Sequence, residues 1–351
     1  MRHSFKDITI NNFRGFDLLE INGFAKINLF VGANNVGKTS ILEALFMLSG
    51  LTNPWVLNRV NSLRSSTSGA SLDNARYAFH NVDLEKSPLF KGTTDYDRRS
   101  LFITPKLKNA ENVNNVLPSS LLHSEINELD FLYEIENEDN SHQYASRLYL
   151  ASNGIIQQEI DPNYKEPMSS LFMVGEKNDA MATNNYATLV KRNQKDVVLN
   201  TLRELDNSIV SLEALPDGLY LGLKGVKELL PLSMSGDGLK RIVTVISAIA
   251  NEDYNVILID EIDNGLHYSA HFLLWKAIFN YVAAHDVQLF VTTHNMECLQ
   301  SLKRVMDMDA SKRSMANVYT VAKTKTKGYQ TYRYDYDELK PVIENSIEIR
   351  Q

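Results

Sequence analysis

The chain has 351 residues, of which 44% are apolar and 23% charged, with a formal net charge of −7; this is the composition of a globular protein with a sizeable core and excludes a disordered or fibrous chain. No stretch reaches the roughly eighteen consecutive apolar residues of a membrane span, and no signal-peptide core follows Met1, so a cytoplasmic protein with no membrane contact is expected. The single cysteine, Cys298, excludes an internal disulfide and any cysteine-rich zinc site, and reads as a helix-face residue.

Residues 5–16 alternate apolar and polar side chains and end in Asn12-Phe13-Arg14-Gly15-Phe16, which predicts a strand and a turn; a second short strand follows at 18–21. Residues 27–31 form an apolar strand, and Gly32 to Ser40 after it fit the phosphate-loop pattern G-x-x-x-x-G-K-[ST]. Ile41, Leu42, Ala44, Leu45 and Leu48 then give a helix one apolar face. A loop between such a strand and helix cradles an anion: Gly32 and Gly37 let backbone N–H groups curl inward, with Asn34, Asn35 and Ser40 in the same loop. Lys38 adds a point charge, and the Thr39 hydroxyl can ligate magnesium.

Residues 52–75 are rich in Asn, Ser, Arg and Thr and read as a surface excursion of weak order. Four short strands, at 98–103, 128–136, 142–150 and 154–160, suggest an antiparallel subdomain. In residues 186–205, Tyr186, Leu189, Val190, Val197, Val198, Leu202 and Leu205 mostly fall on one helical stripe, with Lys191, Arg192, Lys195 and Arg203 among the polar positions. Pro216-Asp217-Gly218 turns a hairpin between 210–215 and 219–223.

Residues 231–241 open a helix whose N-terminus carries Ser235, Gly236 and Gly238, an anion-binding arrangement, with Ser233 as the alternative serine. Residues 255–259 are a continuous apolar strand ending in Asp260-Glu261, the Walker B form. Asp260 is expected to hold magnesium, directly or through water, and Glu261 to orient or deprotonate an attacking water. A third apolar strand, 287–292, ends in Thr293-His294-Asn295, so three parallel strands are expected to bring their ligands to one edge. His267 and His271 have the spacing of a helical zinc pair but lack the glutamate and third ligand, and His267 reads as part of a turn.

Taken in order, Asn12 to Phe16, the Gly32 to Ser40 loop, Ser235 to Gly238, Asp260 to His267 and Thr293-His294 resemble the ABC-type ATPases. Within them the chain is similar to the RecF, SMC and OLD-like branch, AAA-type ATP-binding proteins of prokaryotic repair and anti-phage defence loci. The resemblance implies an α/β fold: an ABC-type P-loop NTPase head with a parallel core sheet, an antiparallel β subdomain and a helical insertion. It also implies a single domain, 1–351, with 1–50 and 224–351 as the nucleotide-binding core and 51–223 inserted. Arg14 would lie near the nucleotide, Asp263 in a D-loop that crosses to a second subunit, and His294 at the γ-phosphate. ATP and Mg2+ are the implied cofactors, held in a head-to-tail homodimer or higher oligomer in which Ser235, Gly236 and Gly238 close the partner's site.

Two departures stand out. The signature reads Ser-Gly-Asp-Gly where the family has Leu-Ser-Gly-Gly-Gln, and only Gln157 and Gln158 offer themselves for the Q-loop. The stretch after His294 is shorter than an appended nuclease, so a separate effector, a nuclease or toxin of anti-phage defence, is expected. The alternative is a RecF-like DNA clamp, for which Arg64, Lys191, Arg192, Lys195, Lys323, Lys325 and Lys327 would supply phosphate contacts. A transporter subunit is disfavoured by the Asn12 to Phe16 strand and the long insertion.

Overall fold

The computed structural model describes residues 3–62, 72–107, 125–138, 140–175, 179–326, 328–345 and 347–349. In chain order, β1 (Asp7–Phe13), β2 (Phe16–Asn22) and β3 (Ile27–Val31) lead through the glycine loop into α1 (Lys38–Ser49) and α2 (Trp55–Ser62). Then come β4 (Leu89–Thr93), β5 (Arg98–Leu107), β6 (Ile126–Glu136), β7 (Ser141–Leu150), β8 (Ile156–Glu159) and β9 (Ser170–Met173). Helices α3 (Asp179–Lys191) and α4 (Asp196–Leu205) precede β10 (Ile209–Leu215), β11 (Gly218–Leu223) and β12 (Leu230–Pro231). The last third runs α5 (Asp237–Ile249), β13 (Val256–Ile259), α6 (Tyr268–Ala284), β14 (Gln288–Thr292), α7 (Met296–Met308), β15 (Ala316–Thr324), β16 (Gly328–Tyr334) and α8 (Tyr336–Glu344).

Every residue of β3, β13 and β14 is buried, because these strands lie inside a parallel sheet covered on both faces. The strand order is β16-β15-β3-β14-β13-β9, parallel from β15 to β9, with β16 antiparallel at the edge. Ile27, Leu29, Val31, Ile257, Ile259, Leu289 and Val291 point to one face, where α3, α4, α5, α6 and α7 pack. Phe30, Val256, Leu258 and Phe290 point to the other face, where α1 lies. The buried Cys298 sits in α7 as expected, its thiol pushed up to about 12 by burial.

The second sheet is antiparallel, in the order β2-β1-β4-β5-β6-β7-β8. In β6, Leu129, Phe131, Tyr133 and Ile135 alternate inward onto the cluster that holds α1. Sheet membership cuts across the sequence division at 51 and 223. β1 pairs with β4, so the N-terminal strands belong to the antiparallel sheet, while β9, well inside 51–223, pairs with β13 in the core. α1 therefore has a sheet on either side and is buried throughout Ser40 to Ser49, not on one face only. That burial includes Glu43, whose carboxylate is met by Arg14 Nε at 3.1 Å.

Other expectations change. Within 52–75, the described residues form α2, which sends Val56, Leu57 and Val60 into the core, and the start of a 3-10 turn, Leu72–Ala78. The helix expected over 186–205 is two helices. α3 ends where Asn193 adopts φ 57° and Gln194 N donates to Leu189 O at 2.8 Å, the left-handed cap that asparagine tolerates. The hairpin around Pro216 forms as expected from β10 and β11. Among the described residues, no helix is long and apolar enough to cross a membrane.

Candidate nucleotide site

The loop between β3 and α1 holds its shape through three backbone positions with positive φ: Gly32 at 151°, Asn35 at 63° and Gly37 at 92°. A Cβ at Gly32 would meet Val321 O at 2.5 Å, so only glycine fits where the loop runs against β15. A Cβ at Gly37 would strike the Phe16 ring, which lies directly beneath the loop and packs edge-on against Tyr329 at 4.9 Å. The Asn12 to Phe16 turn thus contributes a floor to the phosphate loop. Phe16→Ala is expected to lower stability by about 3–5 kcal/mol, read as a drop in midpoint and unchanged m-value in denaturant unfolding.

Asn34 and Asn35 stand exposed at the loop apex, and Ser40 is buried in the first turn of α1. Lys38 Nζ donates back to Gly32 O and Ala33 O, both at 2.8 Å, and so bridges the cradle that phosphate oxygens would enter. Burial pushes its amine below the usual lysine value, with Asp260 and Glu261 pulling it partly back.

Strand register brings the remaining groups together. Ile259 pairs with Val291 and Thr292 with Phe30, so β3, β14 and β13 end at one edge. There Thr39 Oγ1 donates to the Asp260 carboxylate at 2.9 and 3.1 Å, joining residues 221 apart in sequence. Thr292 Oγ1 donates to Asp260 Oδ1 at 2.6 Å and accepts from Glu261 N at 2.8 Å. Glu261 has φ 50°, a left-handed conformation unusual for a side chain of this kind, and that turn aims its carboxylate out of the strand. Its Oε1 lies 3.8 Å from His294 Nδ1, and the two side chains are 51% and 54% exposed. The Asp260 carboxylate beside the Thr39 hydroxyl is an all-oxygen donor set suited to a hard divalent cation such as magnesium.

Asp263 is buried and accepts from Thr293 Oγ1 at 2.6 Å. Ser235, Gly236 and Gly238 do open a helix, α5, but its cap is Gly236, and Ser235 Oγ donates to Leu232 O at 2.6 Å. The start of α5 packs on Gly265, a Cβ at Gly238 coming within 3.5 Å of its carbonyl. α5 lies on the opposite face of the core sheet from α1. Arg14 is tied elsewhere: besides Glu43, its guanidinium donates to Tyr77 O and Asn61 Oδ1, each at 2.8 Å, so it braces α1 against α2 and the 72–78 turn. Gln157 and Gln158 sit on β8, the edge strand of the antiparallel sheet. His267 caps α6, its Nδ1 3.0 Å from Ser269 Oγ.

Three contributors escaped the sequence reading: Phe16 as the floor, Thr292 as the shared partner of both acidic residues, and Arg241. Thr292 carried a faint signal, a hydroxyl closing a buried strand directly after the apolar run Leu289-Phe290-Val291.

The family described as "AAA domain, putative AbiEii toxin, Type IV TA system" matches residues 27–299. A protein of Helicobacter pylori named "ATP/GTP phosphatase" is 27% identical over 330 residues, 86% of this chain and 88% of that one. The DNA replication and repair protein RecF of Lysinibacillus sphaericus is 27% identical over 77 residues, 22% of this chain and 21% of its own length. A solved SMC head, crystallised with the C-winged helix domain of ScpA, superposes with TM-score 0.50 at 12% identity, over 96% of this chain and 99% of that one; this likeness concerns the fold. With its phosphate loop and its acidic pair, on a fold like that of an SMC head, the chain belongs to this AAA-domain family and is an ATPase.

Proposed function

We propose that the protein hydrolyses ATP at sites shared between two copies arranged head to tail, and that this cycle governs a separate effector. The carrying observation is the Thr39–Asp260 bond, which joins the phosphate loop to the acidic strand end at one edge. Magnesium held there by Thr39 and Asp260 would neutralise phosphate charge. Lys38 exchanges its two carbonyl partners for the β- and γ-phosphates, while the Gly32 to Gly37 amides close around the β-phosphate. Glu261 orients a water for in-line attack on the γ-phosphate and takes its proton, and His294, beside it, donates to the transferring phosphoryl group.

The half-exposed Glu261 and His294 leave this edge open on the side that a second copy would cover. An α5 N-terminus on the far face of the sheet from α1 supports the same reading, since its amides suit a phosphate held by another subunit. In this dimer Asp263 would lie in the D-loop at the interface.

Lys38→Ala is expected to weaken ATP binding about a hundredfold, the loss of charge-assisted bonds worth on the order of 3 kcal/mol. Calorimetry reads the affinity, and unchanged binding would remove Lys38 from the site. The family's description as a putative toxin of a type IV system favours a defence effector, for which isolation of the native complex is the test. The DNA-clamp reading has less behind it: Arg192 is paired with Asp253 at 2.6 Å and Lys323 lies over the Tyr329 ring at 5.0 Å, while Arg64 and Lys327 lie outside the described residues.

A further inference from the structure

Arg241 is buried in α5, four residues after Asp237 at the helix start, and its guanidinium reaches the back of the acidic turn. Nη2 donates to Glu261 O at 2.7 Å and Asp260 O at 3.2 Å, Nε to Ile262 O at 3.4 Å and Nη1 to Gly175 O at 3.4 Å. The Glu261 peptide units are thereby gripped from both sides, with Thr292 Oγ1 taking the N–H at 2.8 Å and Arg241 holding the C=O. This grip falls on the residue whose backbone is left-handed at φ 50°, a conformation that persists only when its surroundings hold it. A planar fork of donors can hold several carbonyls at fixed angles, which a lysine ammonium cannot.

We propose that Arg241 is a positioning residue that makes the place of the Glu261 carboxylate depend on α5, so that phosphate docking at the start of this helix sets the water-orienting group of the same chain. Arg241 holds backbone carbonyls of the turn and that of Gly175, and acts through Glu261; the inference therefore rests on Glu261 as the group that orients the attacking water. The geometry is direct. Asp237 and Gly238 stand at the α5 N-terminus, Arg241 one turn on, and the helix carries the fork with it when it shifts or tilts. A displacement of about 1 Å at a reacting group is enough to change a rate on the order of a hundredfold.

The test compares Arg241→Ala, Arg241→Lys and Glu261→Gln in full-length protein, measuring ATP affinity, kcat and thermal midpoint for each. Arg241→Ala is expected to keep ATP affinity within about twofold while kcat falls on the order of a hundredfold. Guanidinium added at low millimolar concentration should restore about tenfold of that loss, and Arg241→Lys should fall between wild type and alanine. Rescue by guanidinium separates positioning from general stability, because small concentrations of this ion do not refold a damaged core. The inference is overturned if kcat in Arg241→Ala is unchanged while Glu261→Gln is inactive. It is equally overturned if affinity, kcat and midpoint fall together in both Arg241 variants with no recovery by guanidinium. A fully active Glu261→Gln would instead overturn the role of Glu261 beneath it.

Discussion

Glu261→Gln should bind ATP as wild type does and release phosphate two to three orders of magnitude more slowly, the contribution expected of a positioned general base. The substitution preserves shape. The Glu261 N–H stays on Thr292 and its C=O on Arg241, so the amide side chain occupies the place of the carboxylate. It cannot take a proton from water. Asp260 keeps its bonds from Thr39 and Thr292, so the metal-binding oxygens are untouched and ground-state affinity has no reason to change. Single-turnover phosphate release with calorimetric ATP titration reads the two quantities separately. Near-normal release would transfer the role to a neighbour, and His294, 3.8 Å away, is the first to examine by His294→Ala in the same assay.

The strands that carry the site were legible in the sequence because parallel core strands are largely apolar and end abruptly: β3 at Gly32, β13 at Asp260 and β14 before His294. The phosphate loop was legible for a second reason, since its glycines are fixed by backbone geometry, and Gly32 has no room for a Cβ. What escaped depends on contacts between distant segments. Nothing local distinguishes Arg241 from any cation on a helix; its role exists only because α5 packs behind the acidic turn. Arg14 likewise carried a family expectation but no local sign that Glu43 would be buried and need it. α1 looked one-sided because only its apolar residues at three- and four-residue spacing were read, while sheets on both sides also bury Glu43, met by Arg14, and Ser49, whose hydroxyl donates to Ser170 Oγ at 2.7 Å. The break at Asn193 was missed because apolar residues recur at helical spacing on either side of it.

Ser235→Arg should leave ATP binding intact and abolish hydrolysis, and mixing it with Lys38→Ala should return part of the activity. The Ser235 hydroxyl donates within its own turn, to Leu232 O, and the helix that it precedes lies across the core sheet from α1. A bulky cation there does not touch the phosphate loop of the same chain. It would instead occupy the space at the α5 N-terminus, which in a head-to-tail pair receives the γ-phosphate bound to the partner. A heterodimer of the two variants then has one site damaged twice and one site intact. With free subunit exchange about half of all dimers are mixed, each with one working site of two, so about a quarter of the wild-type rate is expected. A tagged pull-down verifies exchange. Full exchange with no recovered rate means that both sites must fire together or that α5 does not complete a partner's site. These two separate in a mixture of wild type with Lys38→Ala: obligate firing suppresses the wild-type rate as mixed dimers form, and independent sites leave the rate proportional to intact sites. Wild-type hydrolysis by Ser235→Arg alone would exclude the shared site outright, since the α5 N-terminus could then have no phosphate to meet.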